Sequence, residues 1–192
     1  MKKRFKRICL WAGFALVAAA GILLLAWQWR IHASQENASQ VLSQMRSLLP
    51  QLQSAVLEER GDNTMSVLSV EGTDFVGILE IPKYGSALPV CATWGNTTDY
   101  PCRFSGSVYD RTLQIGATTQ SGQYDFYREL SVGDAVCFTD AEGNCFSYEI
   151  THIRYESHAD QETLQKIPSA LTLFLQNPYA FEYIILSCDP PK

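Results

Sequence analysis

The segment "AVCFTDAEGNCFSYEITHIRYE" (135–156) has two runs rich in β-branched and aromatic residues, separated by a short polar stretch. That stretch, "DAEGN" (140–144), lies between Phe138 and Phe146 and contains Gly143, which can adopt the positive φ of a tight turn. Runs of this composition on either side of turn residues are typical of β-strands. The segment therefore predicts a β-hairpin.

Similar short runs occur on both sides of this hairpin from Asp74 onward, and "SVGD" (131–134) predicts a further turn. They include "FVGILEI" (75–81), "ALPVC" (87–91), "LQIGA" (113–117) and "YIILSC" (183–188). "DQETLQKI" (160–167) favours a short helix, whereas "PSALTLFLQNPYAF" (168–181) has no clear pattern. Residues 74–192 are thus predicted to form one mostly β domain, a small barrel or sandwich.

The N-terminal region is unlike the rest of the chain. "ICLWAGFALVAAAGILLLAW" (8–27) contains 20 residues without a charge and follows five basic residues. A helix of this length spans ~30 Å of hydrocarbon, and the basic end is expected in the cytoplasm. Residues 1–30 therefore predict a basic tail and a transmembrane helix, with the later residues extracellular. The alternative is a cleaved signal peptide, although the small-residue site at His32-Ala33-Ser34 is a poor one.

Residues 31–73 predict a helical stalk and a linker. Val41, Leu42, Met45 and Leu48 recur at a spacing of three to four residues, and this pattern continues to about Glu59. Pro50 interrupts it, which predicts two short helices or a kink. A dimerising coiled coil is the alternative interpretation, but the pattern is short.

Charge and composition exclude several classes of function. Residues 31–192 carry all 20 acidic residues and nine basic ones, a net charge of −11, which argues against binding to nucleic acid or to anionic lipid. The sequence has no glycine-rich phosphate loop and no Cys/His zinc spacing, so neither a cofactor nor a metal is expected.

Five of the six cysteines lie beyond the apolar segment, where an oxidising environment would allow disulfides to persist. Cys91 and Cys102 bracket "ATWGNTTDYP" (92–101) and are predicted to form one. Cys137 and Cys145 flank the hairpin turn and should lie diagonally on one face, so a second bond is an open alternative. Because five is odd, at least one thiol remains or pairs between chains.

Five stretches of residues 74–188 carry a family pattern in their order and spacing. They are "VGILEIPKYGSALPV" (76–90), "PCRFSGS" (101–107), "LQIGATTQ" (113–120), "YRELSVGDAVCFTDAEGNCFSYEI" (127–150) and "IILSC" (184–188). Together they resemble the sortases, the membrane-anchored cysteine transpeptidases of Gram-positive bacteria. The last resembles the sortase strand Thr-Leu-X-Thr-Cys, which bears the nucleophile. The resemblance implies a sortase-like β-barrel with Cys188 in the nucleophile position.

The resemblance also implies a chemistry. A sortase cysteine attacks the carbonyl of a sorting-signal peptide in a surface or pilin protein, and the resulting thioester is passed to a cell-wall or pilin amine. A histidine normally supplies the proton transfer, and an arginine on the strand after the cysteine contributes to oxyanion stabilisation.

Two departures from the sortase pattern weaken this expectation. Thr118 occupies the usual histidine position, because Ile115-Gly116-Ala117-Thr118 stands where sortases have Ile-Ala-Gly-His or Ile-Ala-Ala-His. The chain ends at Lys192 without an arginine strand, which predicts a barrel lacking its final strand and an unpaired edge beside Cys188. We therefore expect weak or absent transpeptidase activity.

The sequence is also compatible with other candidate residues and other functions. His152 and His158 are more typical of structural or solvated histidines, and Arg103 and Arg128 are candidate cations without a spacing argument. Cys188 itself could simply be a small core residue or half of a disulfide. The alternative functions are a non-catalytic pseudo-sortase that binds a sorting signal or pilin partner, and a non-functional product of a shortened gene.

Overall fold

The computed structural model describes residues 2–49, 53–54, 63–95, 99–118, 127, 129–157, 164, 166–177 and 182–191. Its elements are one helix, α1 (Lys2–Leu48), a 3-10 helix (Pro82–Tyr84) and ten strands. The strands are β1 (Gln53–Ser54), β2 (Leu68–Val70), β3 (Thr73–Ile81), β4 (Ser86–Cys91), β5 (Cys102–Ser105), β6 (Leu113–Thr118), β7 (Ala135–Asp140), β8 (Asn144–Glu156), β9 (Leu171–Asn177) and β10 (Glu182–Asp189).

The chain divides into two compact units, Met1–Glu36 and Asn37–Lys192. The first unit is helical, and apolar side chains such as Leu16 and Leu23 are more than two-thirds exposed. In the part of the chain that the structure describes, no helix has both the length and the hydropathy needed to cross a membrane. The three-part division made from the sequence, at residues 30 and 73, stays a prediction.

The last turns of α1 pack within the second unit. Ala38, Val41 and Met45 recur at helical spacing and are buried, the latter two in a cluster with Phe75 of β3. Arg46 Nη2 forms an ion pair with Glu80 Oε1 at 2.8 Å. Residues 37–48 are therefore part of the packed domain.

The sequence predicted helix beyond Pro50, and the structure differs where it is described. α1 ends at Leu48, because the residue that precedes a proline disfavours helical backbone angles. Gln53 and Ser54 then form strand β1, which pairs in parallel with Asn144 and Cys145 of β8. The prediction of a second helix here is wrong at these two positions, since pairing with β8 satisfies their backbone instead.

Eight of the described strands close a barrel, in the order β3, β4, β5, β6, β9, β10, β8, β7 and back to β3. β4–β5 and β6–β9 are parallel pairs, and the other six pairs around the barrel are antiparallel. The predicted hairpin is confirmed as β7 and β8, with Gly143 at φ 85° and its N–H donating to Asp140 O at 3.1 Å.

The expectation of a barrel without its final strand is wrong. β10, which carries Cys188, pairs with β9 on one side and β8 on the other, so it has no open edge there. The error arose at residues 171–177, which had no clear pattern in the sequence but form β9. β9 pairs with β6 on one side and β10 on the other, and thereby completes the barrel.

Alternating side chains of three neighbouring strands fill the barrel interior. They are Leu113, Ile115 and Ala117 of β6, Leu171, Leu173 and Leu175 of β9, and Ile184, Leu186 and Cys188 of β10. Because side chains alternate along a strand, the residues between these face outward. The outer face of the same strands is covered by a second cluster that includes Phe174, Ile185 and Leu164.

Aromatic rings pack closely on this outer face. The Trp94, Phe104 and Phe174 rings have centroid separations of 5.2 to 5.9 Å, in edge-to-face or tilted arrangements. Gly116 of β6 lies directly beneath them, and a Cβ at this position would overlap the rings of Phe174 and Trp94. The absence of a side chain at Gly116 is therefore required for this packing.

We predict that Gly116→Ala lowers the free energy of unfolding by about 1–3 kcal/mol, because it forces the two rings apart. Urea denaturation followed by tryptophan fluorescence measures the change. Adding Phe174→Leu should recover part of the loss, since leucine lacks the ring atoms that the new Cβ would overlap. Strictly additive effects of the two substitutions would contradict this account.

Candidate functional site

Thr118 lies at the end of β6 and faces outward. Its register partner on β9 is Gln176, the partner of Gln176 on β10 is Tyr183, and the partner of Tyr183 on β8 is Glu156. These four residues thus follow one another around the same end of the barrel, and we refer to them as the Thr118 row. Thr118 Oγ1 is fully buried and has no hydrogen-bond partner among the described residues.

Three neighbours in the Thr118 row, Thr118, Gln176 and Tyr183, have side chains suited to hydrogen bonding rather than to acid–base chemistry. A threonine hydroxyl, a glutamine amide and a tyrosine phenol can all donate and accept hydrogen bonds. The hydroxyl and the amide do not titrate near neutral pH. The pair of Thr118 and Gln176 is therefore suited to contact a polar backbone and not to move a proton.

Cys188 lies far from this row. Its register partner on β9 is Leu171, and the partner of Leu171 on β6 is Leu113, five residues before Thr118. At ~3.3 Å per residue, the two levels are about 16 Å apart along the strands. Cys188 also points into the barrel, whereas Thr118 points out. The structure therefore does not bring together the two residues that the sequence assigned to one catalytic site.

The surroundings of Cys188 oppose the formation of a thiolate. The side chain is 0% exposed. Burial raises the pKa of the Cys188 thiol, and the adjacent Asp189 carboxylate raises it further. Asp189 is held in place by Thr151 Oγ1, which donates to its Oδ2 at 3.0 Å, and by Ala170 N, which donates to its Oδ1 at 3.1 Å. A reactive cysteine needs the opposite conditions, namely access to solvent and a nearby cation.

Burial also raises the pKa of Tyr127 and of Tyr148, and each is raised further by Cys188. All three side chains belong to the buried interior cluster. Cys188 is therefore surrounded by core residues. This agrees with the alternative in which Cys188 is simply a small core residue.

The other candidates from the sequence lie elsewhere. His152 is exposed on β8, in register with Ser187, and Arg103 Nε donates to Gly106 O at 2.7 Å. His158 and Arg128 lie outside the described residues. Within the described residues, no group of three or more His, Cys, Asp or Glu side chains could hold a metal ion.

Sequence reasoning missed β9 and, with it, Gln176. The run Thr172-Leu173-Phe174-Leu175-Gln176 lies on β9 and ends beside Thr118, and only its first two residues agree with the pattern Thr-Leu-X-Thr-Cys. The number of strands was the signal that could have revealed β9, because the resemblance to sortases implies one further strand after the one that bears the nucleophile. β10 follows β9 in the closed barrel, and it contains no arginine.

Comparison with known proteins supports this fold. No family model and no curated protein matches the sequence. Among solved structures, it is similar to sortase C1 from Streptococcus agalactiae, with a TM-score of 0.53, 19% identity, and coverage of 65% of this chain and 71% of that one.

Two further structures are similar. Sortase C from Clostridium perfringens, solved with the C-terminal cell wall sorting motif, has a TM-score of 0.51, 19% identity, and coverage of 70% of this chain and 78% of that one. Listeria monocytogenes sortase A has a TM-score of 0.50, 13% identity, and coverage of 62% and 88%. Similarity at these levels of identity concerns the backbone and not the chemistry. The chain therefore has a sortase-like fold.

Proposed function

We propose that this protein is a non-catalytic sortase-like protein that binds an extended sorting-signal peptide at the Thr118 row. The observation that carries the proposal is the register of β6 and β9, which sets Gln176 beside Thr118 while Cys188 lies in the core. The weakly active transpeptidase is the alternative.

Transpeptidation requires a nucleophile, a base and a group that stabilises the oxyanion. The nitrogen lone pair of a carboxamide is delocalised, so Gln176 cannot replace a thiolate. A threonine cannot buffer a proton, and Tyr183 rather than an arginine is the β10 residue in register with Gln176. Each of the three requirements is therefore unmet at the position where a sortase would meet it.

Hydrogen-bonding capacity supports peptide binding at this row. An unpaired buried hydroxyl costs about 1–3 kcal/mol. Thr118 Oγ1 is closed off from solvent, so we infer that the peptide displaces the groups that cover this atom and removes the cost by hydrogen-bonding to it. Gln176 is partly exposed beside it and offers both a donor and an acceptor, as an extended backbone requires. The similar C. perfringens sortase C was solved with a cell wall sorting motif, and a sorting signal of a surface or pilin protein is the peptide we propose.

We further propose that residues 8–27 anchor the protein in the cell membrane, with the N-terminus cytoplasmic and the barrel outside. The support is the 20-residue uncharged run behind five basic residues. Apolar side chains in this segment, such as Leu23 and Leu24, are exposed in the structure, and exposure to water is unfavourable for them. The cell wall would then be the place of action.

Of the predictions that test the proposed function, the first concerns the Cys188 thiol. Because the pKa of Cys188 is raised, its thiolate fraction between pH 7 and 9 should be smaller than that of an ordinary cysteine. Iodoacetamide should label Cys188 in the native protein at least tenfold more slowly than in urea at the same pH, as followed by peptide mapping. Rapid native labelling that titrates near neutral pH would contradict a buried, inactive thiol.

The second prediction concerns the ligand. Thr118→Val and Gln176→Ala should each weaken binding of a labelled sorting-signal peptide about 5- to 20-fold, the equivalent of losing one hydrogen bond of about 1–2 kcal/mol. Fluorescence anisotropy measures the affinity, with Ser147→Ala, an exposed substitution on β8, as the control.

The same mixtures with an added amine should give no amide product by mass spectrometry. Turnover that is lost in Cys188→Ala would overturn the non-catalytic assignment. Absence of peptide binding to the unaltered protein would overturn the binding role and leave the non-catalytic assignment standing.

The third prediction concerns the anchor. Protease added to intact protoplasts should remove the barrel domain and leave a short membrane-bound N-terminal fragment, as detected by antibodies against each end. Soluble protein in the medium that begins near Ser34 would instead support a cleaved signal peptide.

A further inference from the structure

β4 and β5 form the weakest strand pair among the described strands of the barrel, and we refer to the boundary between them as the β4–β5 seam. These parallel strands share a single register pair, Cys91 with Cys102, whereas the parallel β6 and β9 share six, from Leu113 with Leu171 to Thr118 with Gln176. One further backbone bond, from Cys91 N to Pro101 O at 2.8 Å, supports the seam. Few backbone interactions therefore hold the barrel closed at this point.

The two side chains at the seam are buried thiols, each 1% exposed. They belong to the cluster that contains Phe75 of β3 and also includes Val41 and Met45 of α1. Neighbouring strands are ~4.8 Å apart, which is within the Cα separation of ~4.4–6.8 Å that a disulfide accepts. Hydrogen bonding to Cys102 raises the pKa of the Cys91 thiol, and burial raises it further.

We propose that Cys91 and Cys102 form a disulfide that covalently closes the β4–β5 seam. The oxidant is a disulfide compound such as oxidised glutathione. A thiolate of one cysteine attacks a sulfur of the oxidant and releases one thiolate. The second cysteine then attacks the mixed disulfide and releases the other. The two cysteines lose two protons and two electrons in total, and the oxidant is reduced to two thiols.

Burial determines when this bond forms. In the folded protein, Cys91 and Cys102 are closed off from solvent and the pKa of Cys91 is raised, so exchange with an external disulfide is slow. Before residues 37–48 of α1 pack over the cluster, both thiols are accessible. The bond therefore forms during folding and is afterwards protected from reductants by the same packing.

The other close pair of cysteines provides an internal comparison. Cys137 is in register with Ser147, and Cys145 with Thr139, so the two are diagonal neighbours, as the sequence predicted. Diagonal Cα atoms are ~7–8 Å apart, at or beyond the limit for a disulfide. β7 and β8 are also already joined by a tight turn. We therefore assign no bond to this pair.

The test is to refold the full chain in either a glutathione redox buffer or dithiothreitol, and then to block thiols, digest and map the cross-links. We expect a Cys91–Cys102 linked peptide only in the first sample, and a melting temperature about 10 °C higher than in the second. Cys91→Ser and Cys102→Ser should each abolish this difference between the two buffers, whereas Cys137→Ser should preserve it.

A second measurement tests the order of events. Oxidised glutathione added after reductive folding should form the bond at least tenfold more slowly than when present during folding. Failure to find the Cys91–Cys102 peptide after oxidative refolding would overturn the proposal. So would a bond that forms without raising the melting temperature, since it would not close a weak seam.

Discussion

The parallel pairing of β6 with β9 is the interaction on which the rest of this structure depends. It inserts a strand between the one that ends at Thr118 and the one that carries Cys188, and thereby allows eight strands to close. The same register decides which side chain stands next to Thr118 and turns alternate residues of both strands into the core. A change of one residue in this register would exchange the inner and outer faces of β9.

Most of the strands could be predicted from the sequence, because local composition marks them. The hairpin of β7 and β8 is the clearest case, since its turn residues, its diagonal cysteines and the conformation of Gly143 all agree with the local pattern. The mostly β class and the order of the resembling stretches also agree with the barrel. These features depend on residues that are close together in the sequence.

The assignment of Cys188 to the nucleophile position stays a prediction. The sequence could not show that Cys188 lies at another level of the barrel than Thr118, because that depends on pairing between distant residues. β9 has leucines on its inner face and Thr172, Phe174 and Gln176 on its outer face, and Phe174 hides the alternation that would mark it as a strand. With β9 overlooked, nothing in the sequence indicated that a further strand lies between β6 and the strand that carries Cys188. A count of strands around a closed barrel, rather than a motif, locates Gln176.

The β6–β9 pairing also has a consequence for how the chain reaches this structure. Leu113 and Leu171 are 58 residues apart in the sequence, and contacts of such long range make folding slow compared with that of helical proteins of similar size. β9 and β10 are the last of the described strands to leave the ribosome, so β6 and β8 expose unpaired edges until synthesis of the domain is nearly finished. The nascent chain is most vulnerable to aggregation until β9 and β10 have been synthesised. We therefore expect its need for chaperones to end when these two strands pair with β6 and β8.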